Sequence, residues 1–150
     1  MFAVSSFPLA LLFFSCEALT RTVVSTPDAP AAIGPYSQAI MLTLSSGEKL
    51  LHVSGQIGLD PSTGALVGGG IVNQTSRALL NIGAILDAAG AGPADVTECT
   101  CLLTDLADYS AFNTAYASFF ATAPPARAAV QVASLPRGAL CEIKCSAAFS

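Results

Sequence analysis

The stretch from residue 71 to residue 103 reads IVNQTSRALLNIGAILDAAGAGPADVTECTCLL, and it decides the fold class. Apolar side chains recur in its first part at spacings of three, four and seven residues, which predicts a helix over Ile71–Ala89 with one buried face. The members of that face are Val72, Leu79, Ile82, Leu86 and Ala89. Gly90 then suits a left-handed helix C-cap. The run Val96–Leu103 alternates and predicts a strand, so the chain is expected to be an α/β protein. Its expected core face carries Cys99, Cys101 and Leu103.

Towards the amino terminus, shorter apolar runs predict strands. Residues 21–25 (RTVVS) form one candidate, and the three prolines of residues 26–35 (TPDAPAAIGP) exclude a helix from the following loop. Tyr36–Leu44 and Lys49–Val53 are separated by the turn residues SSGE, a pattern that predicts a hairpin. Three strands are therefore expected before the helix.

Towards the carboxyl terminus, a second amphipathic helix and two strands are expected. Asp105 or Asp108 can cap this helix, and the Pro-Pro pair at 124–125 ends it. Its apolar stripe comprises Tyr109, Phe112, Tyr116, Phe119 and Phe120. The runs Ala126–Ala133 and Leu140–Ala148, joined by LPRG, predict the last two strands. The order β-β-β-α-β-α-β-β indicates a mixed sheet with two helices on one face.

Composition limits both size and partners. The chain has 150 residues, enough for one domain with a core, and 53% of them are apolar while 11% are charged. So few charges exclude a disordered chain and indicate that a second copy covers part of the surface. The net charge of −4 argues against general nucleic-acid binding. His52 is the single histidine, which excludes a histidine metal cluster and any Ser-His-Asp triad without it.

Four of the five cysteines lie in predicted strands, and Cys16 is the fifth. Cys99 and Cys101 are spaced C-x-C, and Cys141 and Cys145 are spaced C-x-x-x-C, neither of which matches a zinc ribbon or a thioredoxin-like motif. Neighbours two apart on one strand are poorly placed for a disulfide, because their side chains run parallel. We therefore expect four buried, reduced thiols rather than a metal site or a disulfide, and with them a reducing compartment.

Residues 1–21 (MFAVSSFPLALLFFSCEALTR) differ from the rest of the chain. Their apolar run is as long as the core of a signal peptide but too short to span a bilayer, so no membrane span is expected. We interpret residues 1–21 as a removable targeting segment and residues 22–150 as the functional domain. A plastid reached through an ER-type step, a mitochondrion and the cytosol are the expected destinations, ahead of secretion. An unprocessed apolar tail and a wrongly assigned start codon are the alternatives.

Arg127 and Glu142 are the charged candidates for chemistry. Arg127 lies among alanines on a predicted strand and shares a face with Ala129, so its guanidinium is free to bind a carboxylate through both nitrogens. Glu142 lies on the last predicted strand and shares a face with Lys144. If the two strands pair as a hairpin, both polar faces can lie on one side, where they could bind an acid and position a water. A solvated edge charge and a surface ion pair remain the structural alternatives.

Weaker candidates lie elsewhere in the chain. Tyr36 follows a Gly-Pro turn, from which its hydroxyl could reach a cleft or be satisfied in the core. The backbone amides of residues 54–56 (SGQ), at a strand end, could face an anion. His52 is expected to pack within its strand, and Asn113 to be a structural or surface group on the second helix. The residues by themselves name no substrate.

Four blocks of sequence stand out by their order and spacing: APAAIGPYSQAI (29–40), SGQIGLDPSTG (54–64), PPARAAVQVASLPRG (124–138) and CEIKCSA (141–147). Together they resemble the RidA (YjgF) family of reactive-intermediate imine deaminases. The resemblance covers about residues 22–150. It implies a chorismate-mutase-like α/β fold and a homotrimer with a cleft at each subunit interface.

The resemblance also implies an activity, which is hydrolysis of 2-iminobutanoate and 2-iminopropanoate to 2-oxo acids and ammonia. These small 2-imino acids form from enamines that PLP-dependent dehydratases release. No metal and no organic cofactor is implied. Two other roles remain open: a non-catalytic ligand-binding or chaperone-like module, and an endoribonuclease or translation inhibitor, against which the net charge argues.

The family's functional residues can be matched one by one. Its carboxylate-binding arginine corresponds to Arg127, and the glutamate that holds the hydrolytic water corresponds to Glu142. The tyrosine of its G-P-Y motif corresponds to Tyr36. These three positions are the expected centre of a catalytic site.

Further substrate-binding positions follow from the same matching. The backbone donor of the S-G-Q motif corresponds to Gly55, and another amide donor, two residues after the arginine, corresponds to Ala129. Many members have cysteine at the second position, so no thiol is required there. Ser54 and Asn113 match as well, without a specific role.

Overall fold

The computed structural model describes residues 19–150, and the targeting interpretation of residues 1–21 falls almost entirely outside them. The elements are β1 (Thr20–Val24), β2 (Ala39–Thr43), β3 (Lys49–Val53), β4 (Gln56–Ile57), α1 (Gly70–Ala89), β5 (Val96–Leu103), α2 (Tyr109–Phe119), β6 (Ala126–Gln131) and β7 (Cys141–Phe149). Three 3-10 turns, Pro93–Asp95, Leu106–Asp108 and Pro136–Gly138, lie between them. The α/β class and the order are as predicted, except that two residues are too few for β4 to show a pattern.

One mixed sheet organises the domain. Its strand order is β1-β2-β3-β7-β5-β6, with β4 paired to β7. Among the strands within residues 19–150, only β5 and β6 pair in parallel, and the other pairs are antiparallel. Both helices contribute to the core on one face of the sheet, as predicted. Leu50, His52 and Val130 lie exposed on the opposite face.

Helix α1 follows the predicted pattern, with one exception. Leu79, Ile82 and Leu86 of α1 are fully buried, whereas Val72 is 41% exposed because Ile71 takes the buried position in the first turn. The cap at Gly90 is confirmed: its φ is 79°, and its N–H faces the carbonyls of Leu86 and Asp87.

Helix α2 is entered through a 3-10 turn rather than directly. Asp105 caps that turn by accepting a hydrogen bond from the Ala107 N–H at 2.8 Å, whereas Asp108 makes no side-chain cap. Phe112 and Tyr116 pack into the core as expected. Tyr109, at the start of the predicted stripe, is 38% exposed instead.

The last two strands do not pair as the hairpin that the sequence left open. β5 lies between β6 and β7 in the sheet, pairing in parallel with β6 and antiparallel with β7. The reason is the crossover: β5, α2 and β6 form a β-α-β unit, in which the two strands run parallel and lie side by side. The LPRG connection therefore leads past the end of β5 instead of making a tight turn.

The prediction of four reduced thiols is also wrong. Cys99 on β5 and Cys145 on β7 face each other directly and form a disulfide, with their Cα atoms 4.1 Å apart. The prediction considered only pairs of cysteines on the same strand, whereas Cys99 and Cys145 lie on two adjacent strands. Cys101 and Cys141 are free and buried. In residues 19–150 no group of three or more His, Cys, Asp or Glu side chains could hold a metal ion.

Candidate active site

Glu142 lies at the base of a pocket on the side of the sheet opposite the helices. Strand alternation puts it there: Cys141, Ile143 and Cys145 are buried beneath the helices, so the side chains between them point to the other face. In the register it pairs with Leu102 of β5 and Ile57 of β4. Burial raises the pKa of this carboxyl above its ordinary value of 4.5.

Gly55 makes room for this carboxylate. A Cβ atom built on Gly55 would lie 2.7 Å from Cδ of Glu142 and would overlap its Oε1. Only glycine lets the backbone between β3 and β4 approach the carboxylate so closely. Glu142 is therefore held against a backbone wall rather than extended into solvent.

The rim of this pocket is a loop pinned by a buried glutamine. Gln38 donates to the carbonyls of Thr26, Ala29 and Pro30, at 3.1, 3.1 and 2.8 Å, and accepts from the Thr26 N–H at 2.7 Å. These bonds replace the regular structure that the prolines forbid. The pocket has a volume of about 350 Å³. Its lining comprises Pro30, Ala31, Ile33, Tyr36, Ser54, Gly55, Gln56, Ile57, Leu59, Pro136, Glu142 and Lys144.

Three of the expected binding residues meet Glu142 in this pocket. Tyr36 is 47% exposed on the rim, and its hydroxyl oxygen accepts a hydrogen bond from the Ile33 N–H at 3.2 Å, which leaves its own proton free to be donated. Ser54 uses its hydroxyl to donate to the carbonyl of Ser37 at 2.7 Å, so its side chain is committed to shaping the turn. Gly55 contributes the wall described above.

Arg127 lies in a different pocket, on the helix side of the sheet. Its register partner on β5 is Cys99, whose side chain is buried under the helices. Nη1 donates to Oδ1 of Asn113 and Nη2 donates to the hydroxyl of Tyr109, each at 2.8 Å. The guanidinium carbon lies 4.6 Å from the ring centroid of Tyr116, a cation–π distance. This second pocket has a volume of about 430 Å³.

Asn113, Tyr109 and Tyr116 thus hold Arg127 in place. The sequence pattern indicated only that the two tyrosines belong to an apolar stripe. Their spacing of seven residues, with Asn113 between them, was the available signal, because residues four and seven apart on a helix share a face. A stripe that carries hydroxyl and amide groups on one face can position a cation.

Ala129 lies on β6, which is an edge strand of the sheet. The Val132 N–H donates to the Leu103 carbonyl of β5 at 2.8 Å. Backbone groups alternate in direction along a strand, so the N–H of Ala129, three residues earlier, points away from β5, to an edge that no strand of the described chain covers. This amide lies on the same edge strand as Arg127, two residues further along.

Because the hairpin does not form, Arg127 and Glu142 do not lie on one side of the sheet within one chain. Arg127 shares the face of Cys99, whereas Glu142 shares the face of Leu102, and successive residues of β5 point to opposite sides. The guanidinium and the carboxylate therefore belong to two separate pockets. His52 lines neither pocket: it is exposed on the open face, with Nδ1 3.3 Å from the Ser146 hydroxyl, rather than packed.

Comparisons with known proteins agree with this architecture. The sequence profile of the family described as Endoribonuclease L-PSP matches residues 26–149. A goat (Capra hircus) protein named 2-iminobutanoate/2-iminopropanoate deaminase is 48% identical over 128 residues, covering 85% of this chain and 90% of the relative.

Solved structures are similar over nearly the whole described chain. RidA from an Antarctic Psychrobacter bacterium has a TM-score of 0.80 at 38% identity, covering 85% of this chain and 99% of the other. TdcF of E. coli with bound serine has a TM-score of 0.77 at 36% identity, covering 86% of this chain and 99% of the other.

Neither helix of the described chain has the length and apolarity that a membrane crossing needs.

From the family profile and these relatives it follows that the chain belongs to the Endoribonuclease L-PSP family, the same RidA (YjgF) family that its four sequence blocks resemble.

Proposed function

We propose that this protein is an enzyme that hydrolyses reactive 2-imino acids, such as 2-iminobutanoate and 2-iminopropanoate, to 2-oxo acids and ammonia. The observation that carries the proposal is a pair of complementary pockets. One offers a partly buried carboxylate held against Gly55, and the other offers a guanidinium held by Asn113 and Tyr109. The name of the goat relative supports the same substrates.

Arg127 binds the substrate carboxylate in this proposal. A guanidinium has five N–H donors, and the bonds to Asn113 and Tyr109 use two of them. The remaining donors can hold one carboxylate in a fixed orientation, which places C2 of the imine for attack. The neighbouring amide of Ala129 can add a hydrogen bond from the edge that no strand of the described chain covers. The serine bound to the related TdcF, itself an amino acid with a carboxylate, is consistent with such a ligand.

Glu142 activates the water. The carboxylate accepts a hydrogen bond from a water molecule and takes its proton as the oxygen bonds to C2 of the protonated imine. The product of this step is a carbinolamine. Glu142 then returns the proton to the nitrogen. As the C–N bond breaks and ammonia leaves, the carbinolamine hydroxyl gives its proton to the Glu142 carboxylate and becomes the carbonyl of the 2-oxo acid. A raised pKa suits both steps, because the same group must accept and donate a proton near neutral pH.

A second copy of the chain completes the site in this proposal. Arg127 and Glu142 point to opposite faces of one sheet, so one substrate reaches both only if the Arg127 pocket of one copy meets the Glu142 pocket of the next. Such a head-to-tail contact closes into a ring, and a homotrimer is the ring we propose. The exposed apolar residues Leu50 and Val130 on the sheet face opposite the helices support burial against neighbouring copies.

The decisive experiment combines an imine-trapping assay with complementation. An amino-acid oxidase generates 2-iminobutanoate, and semicarbazide traps whatever imine remains; wild-type protein should lower the semicarbazone yield. Arg127→Ala and Glu142→Gln should each lose this activity. Co-expression of the two variants should restore activity at about a quarter of the interfaces, because one interface in four then pairs an intact Arg127 with an intact Glu142. Recovery with no mixed oligomer, or no recovery within one, would contradict the shared site.

Assays on the same purified protein also test two other functions. A purely ligand-binding module would leave the semicarbazone yield unchanged while still binding a small carboxylate. An endoribonuclease, as the family description reads, would cleave RNA in proportion to the purified protein through every further purification step. We do not expect cleavage, because the net charge of −4 offers little attraction for phosphates.

The amino-terminal segment forms a separate part of the proposal. We expect residues 1–21 to be removed on targeting and residues 22–150 to form the enzyme. In the described chain Thr20 and Arg21 pair with Thr43 and Leu42 of β2, so β1 begins two residues before that boundary. Mass spectrometry of the protein isolated from its native source would locate the mature amino terminus.

A further inference from the structure

The Glu142 pocket contains a second charged side chain, Lys144, which has no part in the reaction described above. Lys144 lies two positions after Glu142 on β7, on the same face of the sheet, opposite Thr100 of β5. Its side chain is exposed. Burial raises the pKa of Glu142.

The three charges around the proposed site can be matched to groups of a substrate. Arg127 takes the carboxylate on C1, and the negative charge of Glu142 faces the protonated imine. With 2-iminobutanoate, the positive charge of Lys144 has no counterpart, because the substrate's side chain is an ethyl group. A second carboxylate at the far end of the substrate would give every charge an opposite partner.

Distance and volume allow such a substrate. Residues two apart on a strand are separated by roughly 6.5–7 Å, so the lysine stem can place its ammonium beyond the carbon that Glu142 addresses. The pocket volume of about 350 Å³ is that of a small-molecule site and leaves space past a four-carbon imino acid. Ile33, Leu59 and Pro136 form apolar walls along which the methylene groups of a longer side chain can pack.

We infer that Lys144 is a specificity-determining residue that admits 2-imino dicarboxylic acids, such as 2-iminoglutarate, by binding their distal carboxylate. This inference rests on the proposed imine hydrolysis and names a further substrate class for the same site. Lys144 is a binding residue here, and the chemistry at C2 remains with Glu142.

The test compares two substrates in the semicarbazide assay. Glutamate oxidase generates 2-iminoglutarate from L-glutamate, and an L-amino-acid oxidase generates 2-iminobutanoate from L-2-aminobutyrate. The quantity measured is the ratio of kcat/KM for 2-iminoglutarate to kcat/KM for 2-iminobutanoate. Lys144→Gln should lower this ratio about tenfold, because a charge-assisted bond becomes a neutral one, and Lys144→Glu should lower it further.

Lys49 provides a matched control on the neighbouring strand β3, where its ammonium lies 5.2 Å from the Phe149 ring centroid and outside the pocket lining. Lys49→Gln should leave the ratio unchanged. A ratio that is equal in wild type and Lys144→Gln, while 2-iminobutanoate is still hydrolysed, overturns the role of Lys144 and leaves the proposed function standing. Wild-type protein that hydrolyses neither substrate overturns both. Added salt should lower the ratio in wild type and have little effect on it in Lys144→Gln.

Discussion

The two pockets hold their charged residues by different means. Glu142 is positioned by main-chain structure, namely the register of β7 and the bare backbone of Gly55. Arg127 is positioned by side chains of α2, through two hydrogen bonds and the ring of Tyr116. The close contact between the Gly55 backbone and Glu142 leaves no space for an added atom. The side chains around Arg127, by contrast, make several contacts, so one can be lost while the others remain. The two halves should therefore respond differently to mutation.

The largest effect is expected where the charge itself is removed. Arg127→Ala should lower kcat/KM for 2-iminobutanoate by more than 100-fold, about 3 kcal/mol, because the substrate's carboxylate loses its ionic partner. Steady-state kinetics on oligomeric protein measures this loss. Arg21→Ala, at an exposed position on β1, is the control and should behave as wild type. Wild-type kinetics from Arg127→Ala would show that the guanidinium does not bind substrate.

Adding one methyl group at Gly55 should lower activity nearly as much as the loss of Arg127. Gly55→Ala forces the Glu142 carboxylate away from its observed position, and misplacement of a catalytic group by about 1 Å lowers rates by roughly 30- to 100-fold. The loss should appear in kcat. Gly68→Ala is the matched control, since a Cβ there meets nothing within 4 Å. If Gly55→Ala and Gly68→Ala behave alike, close packing against Glu142 is not needed for activity.

Removing a single side-chain contact to Arg127 should lower activity much less than either change above. Tyr109→Phe removes the hydrogen bond to Nη2 of Arg127 but leaves Asn113 and Tyr116 in place. The expected cost is about 1 kcal/mol, seen as a roughly fivefold rise in KM. A loss as large as that of Arg127→Ala would mean that the tyrosine itself contacts substrate.

The smallest effect concerns stability, and its sign is opposite to the effect on activity. Because burial raises the pKa of Glu142, the folded state disfavours its charged form, and Glu142→Gln should raise the thermal midpoint at neutral pH. The gain should shrink as the pH falls through the raised pKa and vanish below the ordinary value of 4.5, where the carboxyl is protonated in both states. Calorimetry across this range, with exposed Glu98→Gln as control, measures the difference. If the rise in the thermal midpoint of Glu142→Gln does not change with pH, the buried charge is not its cause.

Much of the fold could be predicted because local patterns determine local structure. The spacing of apolar residues located α1 and its end at Gly90, and alternation assigned the two faces of β5 and β7 correctly. The same alternation put Arg127 and Glu142 on strands of the sheet. Four short blocks also sufficed to identify the family, since their order and spacing reflect one shared architecture.

Strand pairing across the sheet could not be predicted, because the residues of a strand do not specify which other strand it pairs with. The order β7-β5-β6 separates Arg127 from Glu142 and brings Cys99 opposite Cys145. Tyr109 reached Arg127 only through the packing of distant segments, and distant segments also form the walls of the pocket that Glu142 and Lys144 share. The sequence by itself thus determined which elements form and which side chains carry charge. The tertiary structure decided which of them meet, because strand partners and pocket walls come from residues far apart in the chain.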